Sequence, residues 1–432
     1  MNKKIAGAIT GLFFLVVLIL GVTYYRRPVT ITLGTFAGSN WDVPNGNSYK
    51  VIDDAIARFK KKHPNVTIVY DSGVQKEDYS LWLSEKIVTG KEPDIFLVPS
   101  EDFNTLSSLG AMKDLDSLME KDQNFNKEDY YKSAMQSGVY QKNQYALPYE
   151  SNPTLMFVNK TLLEKEGIPI PNNDWTLQDF YKISKEVTKD SDRDGLIDQY
   201  GYYDYNWLDS VFAHGSQIFD EEGDTSYLSQ DSFKESINFV RRLQKLNRGY
   251  PVSADDFDKG RIAFSPMPLS QYRTYKPYPW RVKKYSNFEW DCVKMPTLNG
   301  KEGNSQTSTL LMGMSANTKH TQITWEFLKT LCYDQQVQQS LIEYSQGLSP
   351  LKKVTRSDQT ISLINEDTKD SMVDLHLLNE VMEDTVNHSQ FKKYQSTLKI
   401  IDTSLQQLIE SNEDMDISLL TLQREVNQYL KE

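Results

Sequence analysis

Cysteine is scarce in this sequence: Cys292 and Cys332 are the only two among 432 residues. Two thiols exclude a disulfide scaffold and a thiolate-rich metal site. Two free thiols are the expected state, with a single disulfide as the alternative in an exported chain. The five histidines, His63, His214, His320, His376 and His388, are dispersed and lack metal-ligand spacing. Glycine (21) and proline (16) are too few and too unpatterned for a collagenous or low-complexity chain. Positive charge is in deficit, with 48 Lys and Arg against 59 Asp and Glu, a net charge of −11. A nucleic-acid partner, which needs a basic footprint, is therefore not expected. The sequence has no P-loop, no dinucleotide-binding glycine pattern, no G-x-S-x-G elbow and no H-E-x-x-H. Counting carboxylates leaves a glycosidase pair open, because among 59 some pair always sits at the required spacing.

Against these absences stands an ordinary globular composition, 39% apolar and 25% charged, which offers enough apolar surface to offset chain entropy. The length suggests two to four structural units at roughly 100–200 residues each. Aromatics are plentiful, with 25 Tyr, 18 Phe and 7 Trp. Most belong in cores; the remainder suit the lining of a binding cleft.

Lys3 and Lys4 precede an uncharged run from Ile5 to Tyr25, closed by Arg26, Arg27 and Pro28. Its 21 residues are long enough to cross a bilayer as a helix. Residues 1–27 therefore read as an uncleaved signal-anchor, with a cleaved signal peptide as the alternative. No cysteine follows the run, so a lipoprotein anchor is excluded.

Beyond it, Val29, Ile31 and Leu33 alternate with polar residues, the period of a strand. Ile52, Ala55, Ile56 and Phe59 share one helical face, ended by Lys60-Lys61-Lys62 and Pro64. Val66, Ile68 and Tyr70 alternate again. A helix around Tyr79–Val88 then leads to the apolar strand Ile95–Val98. Strand and helix alternate here as in a parallel α/β unit. A second unit starts near Ala146, with a strand at Leu155–Val158 and a capping-box helix start at Thr176-Leu177-Gln178-Asp179. Trp325, Leu328 and Leu331 mark a further helix, and the chain reads as helical from Asp374 onward.

In this order the sequence carries Ala57-Arg58-Phe59-Lys60-Lys61-Lys62-His63-Pro64-Asn65-Val66, Gly90-Lys91-Glu92-Pro93-Asp94-Ile95-Phe96 and Ala146-Leu147-Pro148-Tyr149. Then follow Phe157-Val158-Asn159-Lys160-Thr161-Leu162-Leu163, Asp174-Trp175-Thr176 and Gly260-Arg261-Ile262-Ala263-Phe264. Trp325-Glu326-Phe327-Leu328-Lys329 and Gly347-Leu348-Ser349-Pro350 complete the series. Taken together these resemble the family 1, maltose- and oligosaccharide-type solute-binding proteins of ABC importers. The resemblance implies an α/β, two-lobed periplasmic-binding-protein-like fold (type II), each lobe a mixed sheet flanked by helices, here preceded by the membrane helix. It implies lobe 1 at 28–148 plus 265–314 and lobe 2 at 149–264 plus 315–432. It further implies a monomeric, non-enzymatic carbohydrate binder on the extracellular face of the membrane, working with ABC permease subunits and an ATPase. A sensor docking on a membrane receptor or kinase, or a glycoside hydrolase, is the alternative.

A sugar presents hydroxyls at its rim and C–H faces above and below, so its site needs aromatic platforms and planar polar groups. Ligands in open α/β sheets sit at the carboxyl ends of strands. That places Asn40 and Trp41 after the first strand, Glu101 after Ile95–Val98, and Tyr149, Glu150 and Asn152 at the first crossing between lobes. Tyr205 and Trp207 follow a strand at Gly201–Tyr203. Tyr272, Arg273 and Trp280 follow Ile262–Phe264, and Tyr344 precedes Gly347. For each, packing within a lobe is the competing role.

Asp190, Asp192, Asp194, Leu196 (through its carbonyl) and Asp198 have the spacing of a calcium loop, with Gly195 at the turn. Position twelve is Gly201 where a bidentate Glu is usual. One structural Ca2+ is the expectation, and an Asp-rich turn without metal the alternative. Similar loops occur in the family resembled.

Overall fold

The alternation of Val29, Ile31 and Leu33 becomes β1 (Val29–Gly34), in which Ile31 and Leu33 are buried. Its neighbours β2 (Val66–Tyr70) and β3 (Ile95–Val98) both run parallel to it. The computed structural model describes residues 28–432 apart from 48, 72, 277–286, 301–304, 368–370, 387–388 and 412. The signal-anchor expectation at 1–27 and the Trp280 expectation lie outside the described residues. Among the described residues, no helix is long and apolar enough to cross a membrane.

Two short strands, β4 (Val139–Tyr140) and β5 (Asn143–Gln144), form a hairpin that leads into the long strand β6 (Ala146–Asn159). β6 belongs to both lobes. Its first half, Ala146–Pro153, pairs antiparallel with β10 (Thr307–Met314), which in turn pairs antiparallel with β3. Its second half pairs antiparallel with β8 (Ile262–Pro268) on one side and β9 (Trp290–Val293) on the other. β7 (Tyr200–Tyr202) extends β8 in parallel. The strand order is β2-β1-β3-β10-β6-β8-β7, with β9 beside β6. The result is a two-lobed α/β fold with mixed sheets.

These directions fix where loops gather. β1, β2 and β3 run the same way as β6, so their carboxyl ends point toward the second lobe. β7 and β8 run against β6, so theirs point back toward the first. Both sets converge on the middle of β6, where open α/β sheets place ligands.

Local sequence explains the main elements. The helix Lys50–Lys62 buries Val51, Ile52, Ala55 and Phe59 and carries Asp53 early and Lys60–Lys62 late, complementing its dipole. Thr176 and Asp179 form a reciprocal capping box on the helix Leu177–Val187. Asn159 caps the helix Lys160–Lys165 by accepting from the Leu162 N–H. Along β6, Leu155 and Phe157 join one hydrophobic cluster while Met156 and Val158 join the other, the period-two signature of a strand covered on both faces. Cys292 and Cys332 are both free and buried.

The packing divides the later chain differently from the expected boundaries. Of 315–432, expected in lobe 2, the helices Thr321–Cys332 and Gln335–Tyr344 pack on the helix Lys50–Lys62, with Phe327 against Phe59 at 5.0 Å between ring centroids. The helices Tyr394–Glu410 and Met415–Lys431 pack on the second-lobe helix Asp231–Leu246. Of 265–314, expected in lobe 1, β9 and the end of β8 pair with the second half of β6. An apolar helical face announces a helix, but not which sheet it will cover.

Candidate ligand-binding site

After β1 the chain forms an ordered loop. Ser39 Oγ accepts from the Trp41 backbone N–H at 3.1 Å, and Lys76 Nζ donates to the Asn40 carbonyl at 3.0 Å and to Asp42 at 2.8 Å. This lysine holds the Asp42 carboxyl below the usual range, chiefly through the hydrogen bond. The loop aims Asn40 at β6, where Asn40 Nδ2 donates to Glu150 Oε2 at 2.5 Å.

Glu150 is fully buried. Its other oxygen, Oε1, accepts from Ser345 Oγ at 2.5 Å and from the Gly347 N–H at 2.8 Å. Burial pushes its pKa up, and the hydrogen bonds from Ser345, Asn40 and Gly347 offset only part of that rise. The Trp41 indole N–H lies close enough to favour the charge but lacks hydrogen-bond geometry; it is buried with no other partner. A side chain at Gly347 would bring its Cβ to 2.5 Å from Glu150 Oε1, so only glycine admits the carboxylate here.

Arg273 holds the same turn from the opposite side. Its guanidinium donates to the carbonyls of Ile342 (2.8 Å), Ser345 (3.1 Å) and Gly347 (2.8 Å), capping the helix Gln335–Tyr344. Arg273 sits on the helix Leu269–Tyr275, which follows β8 and is tied to β6 through Asn152. Asn152 Nδ2 donates to Ser270 Oγ at 3.0 Å, and the Ser270 N–H donates to Asn152 Oδ1 at 2.9 Å. The centre of β6 thus joins loops from both lobes in one buried network.

The structure brings together Asn40, Trp41, Glu150, Asn152 and Arg273 from the expected set. Tyr344 is half-buried beside them; its carbonyl accepts from Asn45 Nδ2 at 3.2 Å, and Lys50 lies over its ring. Tyr149 is buried beneath, its carbonyl accepting from Gln338 Nε2. Glu101 is exposed after β3.

Three expected site residues are core residues instead. Tyr205 packs between Phe180 and Phe239, and Tyr272 stands edge-on to Trp290. Trp207, first residue of the helix Trp207–Ala213, packs near Phe233 while its Nε1–H donates to Asp402 at 2.8 Å. The reason is directional: an aromatic just beyond a strand end is recruited by the amphipathic helix that starts there. Sequence reading missed Ser345, Gly347 and Lys76, which polar spacing alone does not single out. It also missed Asp204, exposed after β7 with a left-handed φ of 57° that a non-glycine residue adopts at a cost.

Two other polar sites flank this network. Asp209 caps the helix Trp207–Ala213 with Asn206 and accepts from Gln306 Nε2 at 3.0 Å, across from the start of β10. Thr154, Phe212, Ala213 and Met295 wall it in, and this burial pushes its carboxyl up to about 7. In the Asp-rich loop, carboxylate oxygens of Asp190, Asp192 and Asp194 lie within 4.8 Å of one another. Asp190 also accepts from the N–H groups of Arg193, Asp194 and Gly195. Asp198 turns away, accepting from Ser191 N and Oγ, and Leu196 is exposed. Gly201 packs on Ser184, where a Cβ would meet backbone at 2.4 Å, so a position-twelve Glu has no room.

A groove of about 850 Å³ lies elsewhere, between Gln136, Val139 and Lys142 on one side and Ser216–Glu222 on the other. It shares no residue with the Glu150 network, and its lining at a strand end, Gln141 and Lys142, is the hairpin turn between β4 and β5. The network at the middle of β6 is therefore the candidate site.

Comparison with known proteins fits this geometry. The galactooligosaccharide-binding protein of Bacillus subtilis (strain 168) is 25% identical over 284 residues, an alignment spanning 64% of each chain. Among solved structures, the cyclic alpha-maltosyl-1,6-maltose binding protein of Arthrobacter globiformis superposes with a TM-score of 0.77 at 16% identity, over 94% of this chain and 99% of that one. The sugar-binding protein MalE of Xanthomonas citri gives 0.75 at 14% identity, over 93% and 97% of the two chains. An ABC substrate-binding protein of Listeria monocytogenes, in complex with cycloalternan, gives 0.72 at 16% identity over 94% and 100%. At such identities the structures speak for the fold. Residues 54–367 match the sequence model of one family, a stretch that takes in Glu150, Asn152, Arg273 and the turn at Gly347 and begins after the Asn40–Trp41 loop: the chain belongs to the bacterial extracellular solute-binding proteins.

Proposed function

We propose that the chain captures a carbohydrate, an oligosaccharide, between its two lobes outside the cell membrane and delivers it to the permease of an ABC importer. One observation carries this reading: strand carboxyl ends of both lobes converge on the middle of β6, with Asn40 and Trp41 offered from one side and Asp204 from the other. The reading is supported by the names of the relatives, which bind galactooligosaccharide, cycloalternan or a cyclic maltosyl-maltose. A ligand touching both lobes favours closure by as much as it binds the closed form better. Calorimetry against an oligosaccharide panel is expected to show one sugar bound per chain without turnover, with a change in tryptophan fluorescence. Tight binding of peptides or polyamines in place of sugars overturns the reading, and product release overturns the non-enzymatic part of it.

The uncharged run Ile5–Tyr25 supports a tether that keeps the protein at the membrane. Carbonate-washed membranes are expected to retain the full chain; a shortened, soluble chain means that the segment is cleaved. The loop of Asp190, Asp192 and Asp194 fits one Ca2+, since oxygens bound at 2.3–2.6 Å to one ion lie within about 5 Å of each other. Calcium at a hundredfold excess over its Kd then adds about 3 kcal/mol of stability. An unchanged melting temperature on chelation, with Asp192→Ala silent, identifies a plain turn.

A further inference from the structure

The end of the first lobe opposite the cleft collects the amino ends of β1, β2 and β3. There the Val29 N–H donates to the Asn65 carbonyl at 3.1 Å, beside the close of the helix Lys50–Lys62. The Lys113 N–H donates to the Met314 carbonyl at 2.8 Å and the Ser315 N–H to the Asp94 carbonyl at 2.9 Å. Thr318 Oγ1 donates to Asp94 Oδ1 at 2.6 Å, bringing Lys319 to the same end. Six lysines, Lys60, Lys61, Lys62, Lys91, Lys113 and Lys319, therefore surround the point where the chain enters β1. None of the six makes an ion pair among the described residues.

Carboxylates at this end are fewer and partly spent. Glu92 accepts from Ser315 and Asn317, and Asp94 from Thr32 and Thr318. Glu85 and Asp114 remain exposed, and Glu326, near His63, pairs with Lys329 at 3.1 Å. A local cationic excess is thus built into a chain whose net charge is −11. The helix dipole explains Lys60–Lys62, which end a helix, but not the others. Lys91 and Lys113 lie in loops, and Lys319 precedes the amino end of the helix Thr321–Cys332, where a cation is unfavourable. Two large aliphatic side chains protrude from the same end: Val88, 86% exposed as the last residue of its helix, and Leu109, 67% exposed just before Gly110.

We infer that, between deliveries to the permease, this end of the first lobe docks on anionic lipid headgroups, with its lysines over the phosphates and Val88 and Leu109 at headgroup depth, so that the cleft then faces away from the bilayer. Lysines fringing protruding aliphatics are the chemistry of an interfacial contact. The chain enters β1 here directly from Arg26, Arg27 and the apolar run, so the tether proposed above delivers this end, and no other, to the surface. The inference rests on that tether for proximity alone.

The test uses the full chain in vesicles carrying nitroxide-labelled headgroups, with a fluorophore on Thr89→Cys; Cys292 and Cys332 are buried and stay unlabelled. Flotation with the vesicles reads the tether, and quenching reads the docked face. Each lysine near an anionic surface is worth about fivefold in apposition. Quenching is expected in vesicles with about a third phosphatidylglycerol, several-fold above that in pure phosphatidylcholine. It should fall to the phosphatidylcholine level in K60E/K91E/K319E, while a probe at Gln230→Cys in the second lobe stays unquenched throughout. Equal quenching in both lipids, quenching that survives charge reversal, or equal quenching at residue 230 overturns the inference. So does an effect of the lysines on soluble polyphosphate binding without one on vesicles. A chain that fails to float removes the tether alone, and its lipid-dependent quenching on added vesicles still decides the docked face.

Discussion

Glu150→Ala is expected to cost about 3–5 kcal/mol of folding stability, because it leaves the Asn40 amide, the Ser345 hydroxyl and the Gly347 N–H without their acceptor inside the protein. Each orphaned donor costs about 1–3 kcal/mol, partly recovered where water enters the space left behind. The loss extends to binding. Asn40 and its neighbour Trp41 are held on β6 through this carboxylate, so freeing them should weaken sugar affinity at least tenfold, about 1.4 kcal/mol. Glu150→Gln keeps the shape and one acceptor, and should fall between, at roughly 1–2 kcal/mol. Urea unfolding followed by calorimetry separates the two effects. An alanine variant with unchanged midpoint and unchanged affinity would show that the network neither supports the fold nor sets the loop.

Asp209→Asn should stabilise the protein, increasingly so as pH rises. The wild-type carboxyl titrates near 7 in the folded state, well above its ordinary value of 3.8. The folded state therefore holds the proton more tightly than the unfolded one. Stability linked to this group is fully present below the unfolded pKa and is lost as pH climbs through the folded pKa. Between pH 5 and 8 that loss amounts to about 2–3 kcal/mol. Asparagine keeps an acceptor for the Asn206 N–H, can pair with a flipped Gln306 amide, and carries no charge to bury. The difference in unfolding free energy between variant and wild type should thus widen by that amount from pH 5 to pH 8. A difference that stays constant across this range would mean that Asp209 is ionised in the folded protein at both ends.

Where sequence reading succeeded, the information was local. The alternation in Val29–Leu33 and Val66–Tyr70, the Thr176–Asp179 box and the Asn159 cap each depend on neighbours a few residues away. That Asn40 and Glu150 come together was also legible, because strand polarity puts the loop after β1 beside the first crossing. What stayed hidden was contact across long sequence separations. Ser345 and Gly347 reach Glu150 only because Arg273 and Glu150 grip one turn from two sides. Likewise, Trp325 and Leu328 spell a helix without saying that Phe59 waits on the other side of the interface. Trp207 and Tyr205 misled for a related reason: proximity to a strand end does not set the direction of a side chain, and both turned inward.

The place of β10 in the sheet has a consequence for the newly made chain. β3 and β6 do not touch; β10 bridges them, pairing Val98 with Leu311 and Pro148 with the same residue. Until the ribosome has added about two hundred residues beyond β3, the sheet of the first lobe is in two pieces, and such long-range closure folds slowly. The polypeptide therefore stays pliable through most of its synthesis. For a protein of an extracellular family, delayed closure leaves time to thread through an export channel, and the lobe locks only once Met314 has followed.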